Sequence, residues 1–155
     1  MEKTNVMRIL DQKKIPYTPY HIELSEAVSG VDMARLMNKE PEVVFKTLVT
    51  VGSPNKYYVF VIPSFAELNL KKAAKVVGEK KIEMIKSKDL LPLTGYVHGG
   101  CSPIGMKKFF PTTIHQTAES LPEILFSAGK IGYQVEMSLE NLKKVIRLQT
   151  ADICE

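Results

Sequence analysis

Hydrophobic spacing changes period several times along this chain, and the changes mark its elements. Over residues 4–13, Val6, Ile9, Leu10 and Lys13 fall on one side of a helix, with Thr4 placed to cap it. Pro16 and Pro19 then enforce an extended passage in which Tyr20, Ile22 and Leu24 alternate as a strand face. Ser29-Gly30 opens a second helix carrying Val31, Ala34 and Leu36. Pro41-Glu42-Val43-Val44 reads as a short helical turn with proline first. Residues 45–51 and 57–62 are rich in β-branched and aromatic side chains, and Gly52-Ser53-Pro54-Asn55 between them predicts a hairpin. A helix of Lys, Ala and Val follows, begun at Ser64 or Asn69 and stopped at Gly78.

Beyond it the pattern predicts a short strand over 81–85 and a short helix from Ser87 that ends near Pro92. Strands follow around 112–115, 123–127 and 133–137, and Ser138 caps a last helix bearing Leu139, Leu142, Val145 and Ile146. Helices are interspersed, yet successive strands also meet through short turns. That pattern implies an α+β fold with a mixed or mostly antiparallel sheet, not a doubly wound one. Neither a repeat nor a low-complexity stretch divides residues 1–155, so a single domain is expected, long enough to bury a core without disulfides or metal.

Composition narrows the setting. The longest apolar run, over 57–63, is strand-sized and far short of the roughly 18–20 residues that span a bilayer. The start, Met-Glu-Lys-Thr-Asn, lacks the basic and then apolar layout of a secretory signal. Two cysteines far apart, Cys101 and Cys154, make no disulfide framework, and a reducing cytoplasm is the expected location. Net charge is +4, from 21 basic and 17 acidic residues. Lys71, Lys72, Lys75, Lys80, Lys81, Lys86 and Lys88 cluster among Glu79, Glu83 and Asp89. Such a cluster can follow a phosphate backbone, but charge counting alone favours a solvated helix face.

The candidate chemistry gathers in Gly95-Tyr96-Val97-His98-Gly99-Gly100-Cys101-Ser102-Pro103-Ile104-Gly105. Its glycines suit neither helix nor strand, and they let another molecule approach the backbone closely. Successive amide N–H groups in such a turn can converge on an anion or a carbonyl oxygen. The usual hydrolytic equipment is missing. His21, His98 and His115 are scattered without metal-ligand spacing, and there is neither a nucleophile elbow nor a phosphate-binding loop. Cys101 lies three residues after His98, a spacing that places no base beside the thiol. Lys46 interrupts the apolar run Val43-Val44-Phe45-Lys46-Thr47-Leu48-Val49, as a solvent-facing strand lysine or as a functional cation.

Taken in order, several segments resemble the YbaK/EbsC aminoacyl-tRNA deacylases, relatives of the editing domain inserted in bacterial prolyl-tRNA synthetases. They are Tyr20, Val44-Phe45-Lys46-Thr47-Leu48, Leu68-Asn69-Leu70-Lys71-Lys72-Ala73-Ala74, the glycine loop, and Phe126-Ser127-Ala128-Gly129-Lys130-Ile131-Gly132. The resemblance implies a curved, partly closed mixed β-barrel flanked by helices. It also implies that Lys46 is the lysine on which deacylation depends and that Tyr20 is a pocket residue. Thr47 belongs to the same motif; Gly99, Gly100 and Ser102 would contact the carbonyl and terminal adenosine. Ser127 and Gly129 would form the second edge of the pocket. One departure stands out: Gln134 occupies a position where the family pattern carries aspartate, so recognition of an ammonium by charge is lost there.

The implied partners are a mischarged tRNA, engaged at its CCA end and aminoacyl group, and prolyl-tRNA synthetase. Neither DNA, a membrane, a metal nor a cofactor is implied. The implied reaction is trans-editing, with cysteine removed from Cys-tRNA(Pro) by attack of the substrate's own thiol. Hydrolysis of other small mischarged amino acids, an inactive tRNA- or synthetase-binding module, and a thiol hydrolase using Cys101 are the alternatives.

Overall fold

The computed structural model describes residues 1–155. Helix α1 (Asn5–Gln12) starts where Thr4 accepts a hydrogen bond from the Met7 N–H at 3.3 Å, and it buries Val6, Met7 and Leu10. Thr4→Ala removes that cap and is expected to cost about 1 kcal/mol, seen as a lower denaturation midpoint at unchanged slope.

Strand β1 (Thr18–His21) stops earlier than the alternation through Leu24 suggests. The Ile22 N–H turns instead to the Gly132 carbonyl at 2.8 Å, and the chain leaves the sheet. Helix α2 (Gly30–Leu36) begins at Ser29, whose hydroxyl accepts from the Asp32 N–H at 3.0 Å. Its expected apolar face is corrected: Val31 and Leu36 are 42% and 47% exposed, whereas Met33, Ala34 and the following Met37 are buried. Two turns are too few for periodicity to choose a face.

After a 3-10 turn at Pro41–Val43, strands β2 (Phe45–Val51) and β3 (Tyr57–Pro63) form the expected antiparallel hairpin. Helix α3 (Leu70–Val77) is capped by Asn69, which accepts from the Lys72 N–H at 3.0 Å, and ends at Gly78. Strand β4 (Glu83–Met84) is shorter than expected. Helix α4 (Ser87–Thr94) runs past Pro92, because Thr94 Oγ1 donates to the Leu90 carbonyl at 2.8 Å and the Gly95 N–H to that of Leu91 at 2.9 Å. Strands β5 (Thr112–His115), β6 (Ile124–Ser127) and β7 (Tyr133–Met137) follow. Ser138 caps α5 (Leu139–Lys143), which ends before Val145 and Ile146, although both still pack on the core. Strand β8 (Gln149–Ala151) was not foreseeable from its short, polar sequence.

The fold is α+β with two sheets. One is antiparallel, in the order β1-β7-β6; the other is mixed, in the order β4-β2-β3-β5-β8, with β5 parallel to both β3 and β8. Strand β3 is buried on both faces, as its near-continuous apolar run requires. Val59 and Val61 enter the larger core with α1, Phe126, Val135 and Leu142. Phe60 and Ile62 face α3 through Ala73 and Ala74, with Ile153 beside them. A third cluster packs Met33, Ala34 and Met37 of the α2 segment on Val44 and Leu125. Besides sharing the larger core, the sheets are joined edge to edge by a parallel bridge between Val44 and Leu125, and the cleft opens beside it. No helix is long and apolar enough to cross a membrane.

Candidate active site

The cleft follows from the hydrogen-bond phase of β2. The Ser64 N–H donates to the Val44 carbonyl at 2.7 Å, and the Gly52 N–H to that of Lys56 at 2.9 Å. With the one-to-one register of β2 on β3, even-numbered residues of β2 therefore bond to β3, and odd-numbered ones turn their backbone groups to the other edge. On that edge Val49 accepts from the Ile85 N–H at 3.3 Å, and Val44 bridges β6. Thr47 lies between these two attachments with no strand beside it. The gap is a cleft of about 270 Å³, walled by β2, the start of α2, Leu90 of α4, the glycine loop and the turn between β6 and β7.

Because the cleft opens at a strand edge, neighbours on opposite faces of β2 both reach it. Lys46 pairs with Ile62 and so lies on the α3 side, while Thr47 pairs with Val61 on the larger core. Both line the cleft. Lys46 is half-buried and takes part in none of the molecule's ion pairs. It stands near the chain's end: burial pushes the Cys154 thiol up to about 11, and the Lys72 and Lys46 charges work against that rise. An unpaired cation in a partly desolvated cleft is suited to a carbonyl oxygen or phosphate that becomes more negative.

The glycine loop supplies the facing wall. Gly99 has φ +87°, and a Cβ there would sit 2.4 Å from that of Ala27, so only glycine lets the loop close against this segment. Gly99 and His98 line the cleft. Cys101 also lines it, but is 9% exposed, and burial pushes its thiol up to about 12. Its thiolate is therefore scarce near neutrality.

The turn between β6 and β7 completes the site. Ser127 and Gln134 face one another across the register and both line the cleft. The Ser127 oxygen accepts from the Gly129 N–H at 3.1 Å, which leaves its own hydrogen free to donate. Gln134 is only 7% exposed, and its Oε1 has no hydrogen-bond partner. Thr47 Oγ1 is likewise buried without a partner. No other buried side-chain nitrogen or oxygen is left unpaired. Buried polar groups are nearly always satisfied, so Thr47 and Gln134 carry unused hydrogen-bonding capacity at this cleft.

Lys46, Thr47, Gly99, Ser127 and Gln134 thus come together. Tyr20, Gly100, Ser102 and Gly129 do not line the cleft. Tyr20 pairs with Gln134 across β1 and β7, but its hydroxyl donates to Glu136 at 2.7 Å. Lys39 lies 3.4 Å from the same carboxylate and 5.3 Å from the Tyr20 ring centre, closing a clamp beside the site. Gly100 rests on the backbone of Lys130 and Ile131, and Gly129 on Tyr96 and Val6. Ser102 is fully buried, and its Oγ accepts from the Ile104 N–H at 3.3 Å. Sequence reasoning missed Ser64, Met33 and Leu90, whose positions depend on how α2, α4 and the end of β3 meet. No cluster of three or more His, Cys, Asp or Glu side chains is placed to hold a metal ion.

A family model for the aminoacyl-tRNA editing domain matches residues 25–145, a span containing every cleft residue except Leu24. The chain belongs to the aminoacyl-tRNA editing family. A curated relative from Enterococcus faecalis, EbsC, carries the name of a candidate Cys-tRNA(Pro)/Cys-tRNA(Cys) deacylase. It is 46% identical over 98% of this chain and 93% of its own length. Among solved structures, a candidate trans-editing enzyme for prolyl-tRNA synthetase superposes with a TM-score of 0.84 at 21% identity, covering 99% of each chain. A hypothetical protein, APE2540, superposes at 0.87 with 19% identity, over 98% of this chain and all of that one. These two likenesses show a shared fold over nearly all of this chain.

Proposed function

We propose that this chain is a trans-editing deacylase that removes cysteine from Cys-tRNA(Pro). The observation that carries the reading is the unpaired Lys46 cation beside the glycine loop, in a cleft whose one thiol is buried and protonated. Membership of the editing family and the name of the 46% identical relative support it. The edgewise bridge at Val44 and Leu125 supports reading the two sheets as a curved, partly closed barrel around this cleft. We place the reaction in the cytoplasm, where prolyl-tRNA synthetase supplies the mischarged substrate.

Aminoacyl esters are already activated, so positioning and charge stabilisation are enough to cleave them. The substrate's side-chain sulfur bonds to the ester carbonyl as the bond from that carbon to the ribose oxygen breaks. The thiol proton passes to the departing oxygen, releasing tRNA and a cyclic thioester. Lys46 and the Gly99 backbone meet the developing oxyanion. This chemistry separates cysteine from proline where shape does so poorly, since a methylene difference is worth only about 1–3 kcal/mol.

The test compares Cys-tRNA(Pro) with its S-methylcysteinyl counterpart. Rapid loss of the first and persistence of the second are expected. Equal loss of both would make water the attacker and favour a hydrolase of broader range; loss of neither would overturn the deacylase reading. Cys101→Ala is expected to keep cysteinyl-ester cleavage within about twofold, whereas a thiol hydrolase would lose it.

A further inference from the structure

The two unpartnered atoms, Thr47 Oγ1 and Gln134 Oε1, show more about the ligand than its location. Leaving each unbonded forfeits the compensation for its desolvation, so a ligand that brings hydrogen donors to them is favoured. The charge around them limits what those donors can be. Strand β2 contributes Lys46, and the glycine loop contributes His98 and Cys101. The α2 segment, Ser64, α4 and the turn between β6 and β7 contribute no titratable side chain to the lining. Glu136, two residues beyond Gln134, is held by Tyr20 and Lys39 and does not line the cleft. A substrate ammonium here would meet a lysine cation and no carboxylate, a costly arrangement at a mostly buried site.

We propose that this cleft takes the α-substituent of an acyl ester as an uncharged hydrogen donor, held by the Gln134 amide and the Thr47 hydroxyl. Aminoacyl groups are therefore bound as the free amine, and α-hydroxyacyl groups are a second ligand class. Gln134 is neutral whichever way its amide is turned, so the charge argument does not depend on that assignment. The inference deepens the deacylase reading and rests on it for the identity of the acyl group.

Stable amide analogues test it without any turnover. Adenosine carrying an alanyl group on a 3′-amino linkage, with no thiol to ionise, would be titrated into the protein by calorimetry, beside the same compound with hydroxyl in place of the α-amine. Free α-amines titrate around pH 7.7–8.0, so the free amine rises from about 1–2% at pH 6 to over about 90% at pH 9. The wild-type protein is therefore expected to bind the amino analogue roughly fiftyfold more tightly at pH 9 than at pH 6. The hydroxyl analogue should bind within about threefold of that tighter value at both pH values. Gln134→Glu should reverse the order, binding the amino analogue more tightly at pH 6 and weakening the hydroxyl one about tenfold. The slope should persist in His98→Asn; if it vanished there, His98 would be its source and the inference would fall. Equal or tighter wild-type binding of the amino analogue at pH 6 would also overturn it, as would a hydroxyl analogue bound more than about tenfold more weakly at pH 9. Binding that follows this pattern in a protein that cleaves no ester would instead sink the deacylase reading alone.

Discussion

Lys46→Ala is expected to leave the fold intact and to slow cysteinyl-ester cleavage by about 10²–10³-fold, the usual cost of removing one preorganised oxyanion partner. The side chain is half-buried at a strand edge and makes no ion pair, so its loss leaves no carboxylate stranded. It lies on the α3 side of β2 and is open to solvent in part, so shortening it to alanine leaves no sealed cavity. Thermal unfolding should therefore change little while kcat falls. A large drop in melting temperature with unchanged specific activity would assign Lys46 to structure. Lys46→Arg should recover only part of the rate, because a planar fork does not reproduce a compact ammonium.

The largest expected stability effect is at Gly132. Its φ is +86°, and a Cβ there would stand 2.3 Å from the Ile22 carbonyl oxygen, a backbone atom that cannot rotate aside. The same contact region carries the 2.8 Å bond from the Ile22 N–H to the Gly132 carbonyl, which ties β1 to the β6–β7 turn. Gly132→Ala adds left-handed strain to a backbone collision and is expected to cost about 3 kcal/mol or more. For a chain of this size that lowers the melting temperature by roughly 6–12 °C. Activity should fall with it, because Ile131, Gly132 and Gln134 form one cleft wall. Unfolding curves of the two proteins that superimpose would show that the turn relaxes at no cost.

The hairpin, the caps at Thr4, Ser29, Asn69 and Ser138, and most strands were legible because each depends on local spacing or a local side-chain bond. What escaped depends on tertiary pairing. Strand β8 is three residues whose neighbour, β5, lies more than thirty positions earlier, and the apolar face of α2 is chosen by Val44 and Leu125. The site divides in the same way. The composition marked the glycine loop, but Lys46 stood out only through the resemblance. Thr47 points away from Lys46, as neighbours on a strand must, yet the open edge of β2 brings both to the cleft. The clamp that occupies the Tyr20 hydroxyl joins residues 116 positions apart, and spacing along the chain carries no sign of it.

The most direct measurement follows ester loss from Cys-tRNA(Pro) and Pro-tRNA(Pro) in parallel, with the protein in catalytic amounts. Cysteinyl ester should disappear far faster than its spontaneous rate while prolyl ester persists. Cysteinyl ester that decays only at the spontaneous rate, or prolyl ester lost equally fast, would contradict an editing role for this cleft.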